Sequence, residues 1–147
     1  MKLNKLLFYS ALSYAAYLLI KGSSKGIFGD ESKLEPIYFS KKIEKKYGIT
    51  LDLLGSLKKG DLNLSKIVVP KEKRNKGLGE KVMQEIVDYA DKNNKRVTLT
   101  PSSDFGGNVK RLKNFYKKFG FVENKGTNKD FSTKETMYRV AKVFIFK

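Results

Sequence analysis

The stretch IVVPKEKRNKGLG, residues 67–79, decides the fold of this chain. It holds a strand-like apolar run, a proline, a basic loop and two glycines. The segment that follows, residues 77–93, predicts an amphipathic helix, because Leu78, Val82, Ile86 and Ala90 recur at spacings of four. A strand that leads through a glycine-containing loop into a helix is therefore the central unit.

The start of such a helix can bind an anion. Its first backbone N–H groups lack partners within the helix, and the helix dipole places positive charge there. Gly77 and Gly79 let a diphosphate approach those amides, while Lys73, Arg74 and Lys76 add charge. The same residues are also compatible with a tight loop whose glycines serve packing alone.

The commoner phosphate-binding loops do not fit this stretch. The chain has no GxxxxGK[ST] motif, and the dinucleotide fingerprint GxGxxG needs a third glycine where Val82 stands. The pattern therefore predicts a different ligand that contains a nucleotide diphosphate.

Strand and helix patterns alternate on both sides of this unit, which indicates an α/β (α+β) fold. The helix predicted at residues 40–47 has Ser40 as its N-cap and Gly48 as its stop. A further helix is predicted at residues 108–119. The predicted strands are residues 49–57, 61–69 and 96–100. Another strand starts at residues 121–122, and the last segment, 137–146, ends in strand-like apolar residues.

The first 29 residues differ from the rest. Residues 6–20, LLFYSALSYAAYLLI, are uncharged and precede a Gly/Ser-rich linker. Fifteen helical residues span about 22 Å, short of the roughly 30 Å hydrocarbon core of a bilayer. This apolar helix could dock on the chain itself or on a protein partner, contact a membrane, or act as an export signal. We divide the chain into this helix with its linker, residues 1–29, and a domain at residues 30–147.

Composition limits the chemistry. The chain has 147 residues, no cysteine and no histidine, which excludes disulfides, thiolate metal sites and Cys-His or Ser-His nucleophiles. Its net charge of +16 suits polyanions such as nucleic acid, an acidic membrane or a phosphorylated ligand. Most of the basic residues are scattered lysines, typical of solvated surface, and no basic run is interleaved with aromatic residues.

The motifs in this order resemble the GNAT superfamily of acetyl-CoA-dependent N-acetyltransferases. LSKIVVPKEKRNKGLGEKVMQEIVDYA is similar to that family's fourth strand and third helix, RVTLTP to its fifth strand, and NFYKKFGF to its Tyr-x-x-x-Gly-Phe signature. Order and spacing agree over residues 61–122, and the resemblance extends in outline over residues 37–140. It implies a mixed, mostly antiparallel sheet flanked by helices.

Further matches resemble the small GNAT-like proteins of phages and mobile elements. They comprise PSSDFGG at residues 101–107, then Arg-Leu at 111–112, Phe-Tyr at 115–116, GFVENKG at 120–126 and Met-Tyr-Arg at 137–139. This subgroup resemblance implies more about the fold than about the substrate.

The resemblance implies acetyl-CoA as the cofactor and direct attack by an unidentified amine. Backbone groups of the strand would pair with the pantetheine arm, and the loop amides with the diphosphate. The cofactor-binding residues would be Ile67, Val68, Val69, Arg74, Asn75, Lys76, Gly77, Leu78, Gly79 and Asn108. The family's asparagine, seven residues before its tyrosine, falls on Val109, whereas Asn108 lies eight before.

The resemblance implies Tyr116 as a catalytic residue, and the position of Asp104 after the third predicted strand makes it a second candidate, acting through water. Tyr116 matches the tyrosine that protonates the departing thiolate, although a tyrosine on the apolar face of a helix also suits a core. Asp104 and Glu72 are candidates for the general base, and each is equally compatible with a turn or cap role.

Two non-enzymatic or membrane-linked alternatives stay open. A GNAT-like scaffold without catalysis could be a structural or packaged component of a phage virion, its lysines meeting nucleic acid nonspecifically. A membrane-bound enzyme anchored by residues 6–20 is the other. The expected location is accordingly cytoplasmic or virion-associated, with membrane contact through the N-terminal helix as an option.

Overall fold

The computed structural model describes residues 34–55, 60–104 and 107–143. The N-terminal helix predicted at residues 6–20, and all of residues 1–29, lie outside that part. The elements in chain order are α1 (Leu34–Tyr47), β1 (Thr50–Gly55), β2 (Leu62–Val68), α2 (Leu78–Lys92), β3 (Val97–Leu99), α3 (Val109–Lys117), β4 (Val122–Glu123) and β5 (Met137–Arg139). Short 3-10 turns occupy Lys71–Lys73 and Gly126–Asn128.

The strands form one five-stranded sheet in the order β1-β2-β3-β5-β4. The pairs β1–β2, β3–β5 and β4–β5 are antiparallel, and β2–β3 is parallel. This confirms the predicted mixed, mostly antiparallel sheet flanked by helices. The parallel pair is adjacent to α2, as expected when a helix connects two parallel strands.

The core lies between α2 and the sheet. The buried face of α2 presents Val82, Met83, Ile86, Val87 and Ala90. Against it, β1 and β2 alternate buried and less buried residues, as strands with one covered face do. The buried apolar side chains of the sheet are Leu51, Leu53, Leu62, Leu64, Val97, Leu99 and Met137.

The predicted start of α1 was wrong. The helix begins at Leu34, so Ser40 lies in its interior and not at an N-cap. The Ser40 hydroxyl is buried and donates to the carbonyl oxygen of Pro36 at 2.9 Å, a bond that a serine inside a helix can make. Pro36 is tolerated because first-turn N–H groups have no helical acceptor. Gly48 does end the helix, with φ +59° and its N–H donating to Glu44 O.

Within the described residues, the last segment, 137–146, forms a strand only at its start. β5 ends at Arg139, residues 140–143 are irregular, and residues 144–146 lie outside the described part. The backbone N–H of Lys142 donates to Asp91 Oδ1 at 2.7 Å, which directs the chain toward the end of α2. Val140 and Val143 are consequently exposed instead of covering a sheet.

A buried ion pair closes the C-terminal end of α2. The guanidinium of Arg139 donates to both carboxylate oxygens of Asp91, at 2.7 and 2.8 Å, and to the carbonyl oxygen of Phe119 at 2.8 Å. Hydrogen bonds from Arg139 hold the pKa of Asp91 below its ordinary value. The pair joins α2, β5 and the segment after α3.

In the described ranges, no helix has the length and apolar character needed to cross a bilayer.

Candidate active site

A cleft opens where β2 parts from β3. β2 pairs with β1 along its whole length, but with β3 only through Leu62 and Asn63. Its register against β1 shifts between Asp52 and Leu53, so Ser65 is an extra residue in β2. Such a bulge bends a strand. The second half of β2 thereby leaves the sheet edge of β3 and exposes backbone groups to the cleft.

The cleft has a volume of about 550 Å³ and brings most of the predicted site residues together. It is lined by Ile67, Val68, Val69, Arg74, Asn75, Gly79, Gly107, Asn108, Arg111, Leu112, Phe115 and Tyr116. A smaller cavity of about 120 Å³ continues toward Thr100, Pro101 and Ser102 and shares Ile67 and Tyr116 with it. A third, of about 360 Å³, extends it past Gly77 and Leu78.

The start of α2 supplies free backbone donors to this groove. Gly77 is the N-cap residue, and no side chain caps the helix there. The first helical bond runs from the N–H of Lys81 to Gly77 O. Within the described residues, the N–H groups of Leu78, Gly79 and Glu80 have no hydrogen-bond acceptor. The helix start therefore has the free donors that an anion requires.

Glycine is present at positions 77 and 79 for different physical reasons. Gly77 has φ +70°, a left-handed conformation that other residues rarely adopt. Gly79 is helical, and a Cβ built on it would meet nothing closer than Phe115 Cζ at 3.8 Å, an ordinary contact. Neither conformation nor packing requires a glycine at Gly79. A methyl group there would instead occupy the groove, so the packing interpretation does not explain this residue.

The basic loop side chains do not all face the groove. Lys73 donates its ammonium to the carbonyl oxygens of Tyr47 and Gly48, at 3.1 and 3.3 Å, and so ties the loop to the end of α1. Arg74 Nε donates to Val69 O at 2.9 Å, which folds the side chain back on the end of β2. Lys76 is exposed and lies outside the cleft lining. Lys73 thus lines the extension beside Gly77 while its ammonium is bound to the end of α1, and Lys76 does not line the cleft.

Arg111 provides charge that the sequence analysis missed. It is exposed and lines both the main cleft and the extension beside Gly77. It lies three residues after Asn108, whose Oδ1 accepts a hydrogen bond from the N–H of Arg111 at 3.1 Å. A cap residue followed by an arginine in the first turn is the sequence signal that identifies it.

The structure also shows how Asn108 and Val109 differ, of which Val109 is the position that the family's asparagine would occupy. Asn108 is the N-cap of α3, and Val109 is its first helical residue. Gly107 precedes the cap at a close approach, since a Cβ there would lie 2.9 Å from Leu112 Cδ1. The structure places Asn108 in the cleft lining and Val109 outside it.

Tyr116 has the contacts of a core residue and also lines the cleft. Its ring packs with Phe115 and Phe121, at centroid distances of 5.4 and 5.7 Å, while the residue lines the cleft and the cavity toward β3. Burial raises the pKa of Tyr116 above its ordinary value. The hydroxyl therefore stays protonated at neutral pH and can donate a proton or a hydrogen bond.

The candidate general bases do not lie in the cleft. Asp104 is exposed, and its N–H donates to Ser102 Oγ at 3.1 Å, which fits a turn role. Glu72 is exposed on the 3-10 turn after Pro70. In the described part of the chain, the one carboxylate lining the groove is Glu80, at the end away from Tyr116. The structure therefore does not bring Asp104 or Glu72 into the cleft, and a role as general base stays a prediction.

A family model described as the acetyltransferase (GNAT) domain matches residues 45–123, more than half of the chain. The chain therefore belongs to the GNAT acetyltransferase family. The matched range includes the bulged strand β2, the loop before α2 and Tyr116.

One similar solved structure is that of Arabidopsis thaliana Naa50 in complex with the bisubstrate analogue CoA-Ac-MVNAL. The two share 22% identity with a TM-score of 0.41, over 65% of this chain and 64% of that one. This chain thus spans less than two thirds of the neighbour's length. Among curated proteins we found no significant relative. The closeness to proteins of phages and mobile elements stays a prediction.

Proposed function

We propose that this chain is an acetyl-CoA-dependent N-acetyltransferase that acetylates an amine by direct attack. Membership of the GNAT family supports the reaction class. The observation that carries the proposal is the start of α2, where free N–H groups face a groove beside a glycine that neither backbone conformation nor packing requires.

The residues of the cleft fit the cofactor's parts. The N–H groups of Leu78 and Gly79 would bind the diphosphate, and Arg111 would neutralise a phosphate from the opposite wall. Backbone groups of Ile67 and Val68, where β2 has left β3, would pair with the amides of the pantetheine arm. Val69 would contribute less than these two, because Arg74 Nε already donates to its carbonyl oxygen.

The chain's own chemical contribution is positioning and proton transfer. Acetyl-CoA supplies an activated acetyl group as a thioester, which agrees with a chain that has no cysteine or histidine. The cleft holds the reacting groups together, which by itself removes a large entropic part of the barrier. Tyr116 holds a proton at Oη, beside the path of β2, and would give it to the departing thiolate.

Calorimetric titration of the full chain with acetyl-CoA tests the proposal. We expect saturable binding that Arg111→Gln weakens about tenfold, the effect of one lost charged hydrogen bond. Lys92→Gln is the matched control, because it removes the same charge at the other end of α2. Release of free thiol in the presence of pooled amines then reports transfer.

Absence of binding at millimolar acetyl-CoA would contradict the proposal and favour a GNAT-like scaffold without catalysis. Equal affinity of the Arg111 and Lys92 variants would contradict the assignment of this groove.

A further inference from the structure

Three lysines converge on one carboxylate on the outer side of α3. The ammonium groups of Lys113, Lys117 and Lys125 lie 3.1, 2.7 and 3.1 Å from the carboxylate oxygens of Glu123. Lys113 and Lys117 belong to α3, and Glu123 belongs to the edge strand β4. One negative charge cannot neutralise three positive ones, so this cluster keeps a local excess of positive charge.

The next residue, Asn124, fixes the loop between β4 and β5. Its side chain is buried; Nδ2 donates to the carbonyl oxygens of Asp130 and Glu135, at 3.1 and 2.9 Å, and Oδ1 accepts from the N–H of Asp130 at 2.7 Å. Arg96 also binds Asp130 and Ser132. The loop is thus held on both sides of the intervening residue, Phe131.

Phe131 is the exposed tip of that loop. Its ring is 90% exposed, although the residues on both sides of it are anchored. The ammonium of Lys129 lies 5.7 Å from the ring centroid. A rigid loop that presents a bare aromatic ring beside a cation has no structural need for the ring, since removing it would uncover no core residue.

We propose that Phe131 and the Lys113, Lys117 and Lys125 cluster form a binding surface for single-stranded nucleic acid. The lysines bind consecutive backbone phosphates, and a base stacks on the ring of Phe131. The lysine cluster and the loop that carries Phe131 meet at the end of β4, because Asn124 lies between Glu123 and Lys125 in the chain and bonds directly to Asp130. The surface is separate from the acetyl-CoA groove and does not depend on the proposed activity.

Two features favour a single strand over other polyanions. Bases of a duplex are already stacked on one another, so an exposed ring on a loop offers them no contact. A membrane surface would need more apolar area than one ring. Lys129, beside that ring, retains a hydrated charge. The combination of these lysines with Phe131 is not visible as a local pattern, because the residues come from α3 and from the segment after β4.

Fluorescence anisotropy with a labelled oligothymidylate of about twelve nucleotides tests the surface. Changing Lys113, Lys117 and Lys125 together to Gln should lower the slope of log K against log salt by about 2, at roughly 0.7 per phosphate contact. The control changes Lys42, Lys45 and Lys92 to Gln. It removes equal charge from exposed positions on α1 and α2 and should leave the slope unchanged.

The aromatic contact is tested separately. Phe131→Ala and Phe131→Leu should each weaken binding about tenfold, whereas Phe131→Trp should retain it, because stacking needs a flat ring. Phe131 is 90% exposed, so none of these changes should alter the melting temperature.

The proposal is overturned if Phe131→Leu binds as tightly as the unchanged chain, or if a duplex of equal length binds more tightly. It is also overturned if vesicles with anionic lipid bind while the oligonucleotide does not. Dimerisation that Phe131→Ala abolishes, without oligonucleotide binding, would assign the ring to a second copy of the chain.

Discussion

The two ends of α2 are built in opposite ways. At its start, the N–H groups of Leu78 and Gly79 have no acceptor among the described residues, and the helix has no side-chain cap. At its other end, Asp91 accepts hydrogen bonds from Arg139 and from the N–H of Lys142, and its side chain is only 11% exposed. Under the proposed function, the first end is open for a ligand, while the second is closed by side chains that stabilise the fold. The comparison therefore separates residues expected to affect binding from residues expected to affect stability.

The largest expected effect is a loss of stability when the Arg139–Asp91 ion pair at the C-terminal end of α2 is broken. Arg139→Met leaves the Asp91 carboxylate buried without its partner, so we expect the free energy of unfolding to fall by about 3–5 kcal/mol. Urea denaturation measures this loss. Acetyl-CoA affinity of the protein that remains folded should not change, because the two ends of α2 are separate.

The double variant Arg139→Met with Asp91→Asn serves as the control. It should lose less stability than the sum of the single changes, since no unpaired charge remains. A loss below about 1 kcal/mol for Arg139→Met would contradict the role given to the pair.

The next largest effect is a loss of catalytic rate when Tyr116, which lines the cleft, is changed. Tyr116→Phe should lower kcat about 100-fold by removing the proton donor, while KM and the free energy of unfolding stay the same. The ring contacts with Phe115 and Phe121 are kept in phenylalanine. Steady-state kinetics with denaturation measures both quantities, and an unchanged kcat would leave Tyr116 with its packing role only.

Gly79→Ala separates ligand binding from stability within one turn of α2. We expect acetyl-CoA affinity to fall about tenfold, because the methyl group enters the groove. Stability should rise by about 0.5–1 kcal/mol, since alanine is the better helix former. Calorimetry and thermal melting check the two results.

Gly77→Ala is the matched comparison. Its φ of +70° makes the substitution cost about 1–2 kcal/mol of stability through the backbone. If Gly79→Ala binds acetyl-CoA as the unchanged chain does, the open end of α2 is not the diphosphate site.

The smallest expected effect is a pH dependence of stability. It arises from Glu123, whose carboxylate is bound by three lysines near the surface. Hydrogen bonds from Lys117, Lys113 and Lys125 lower the pKa of Glu123 from 4.5 to about 2. A carboxylate with a lowered pKa stabilises the fold above its unfolded pKa and loses that contribution as the pH falls to its folded pKa. Stability should therefore decline between about pH 4.5 and 2.

Glu123→Gln tests this, because the variant lacks the titrating group. The stability difference between the two proteins should shrink as the pH falls through that window, measured by urea denaturation at several pH values. A difference that stays constant with pH would exclude the contribution of Glu123.

Local pattern made much of the fold predictable. The stripe of α2 and the branched residues of β2 determine burial by their spacing, and the loop between them contains residues with special backbone geometry. The same stretch predicted the free backbone donors at the start of α2. These features depend on neighbours in sequence, and the structure confirms α2 within one residue at each end.

What could not be predicted depends on distant partners. Ser40 has the chemistry of a cap, but a helix that begins at Leu34 converts it into an interior residue bonded to Pro36. Lys73 has the charge for a phosphate, yet its acceptors are carbonyls at the end of α1. The lysine cluster at Glu123 joins side chains from two elements and the loop that follows them, which no local spacing reveals.

The hydrogen bonds of Lys73 and Arg74 affect how fast a ligand is expected to bind at the loop before α2. Lys73 holds the loop to Tyr47 and Gly48, and Arg74 holds it to Val69, so its amides already have their geometry before any ligand arrives. A ligand that meets a prearranged pocket does not wait for a slow rearrangement. Rapid mixing should consequently show a single exponential whose rate rises linearly with concentration, and the lifetime of the complex should set its affinity.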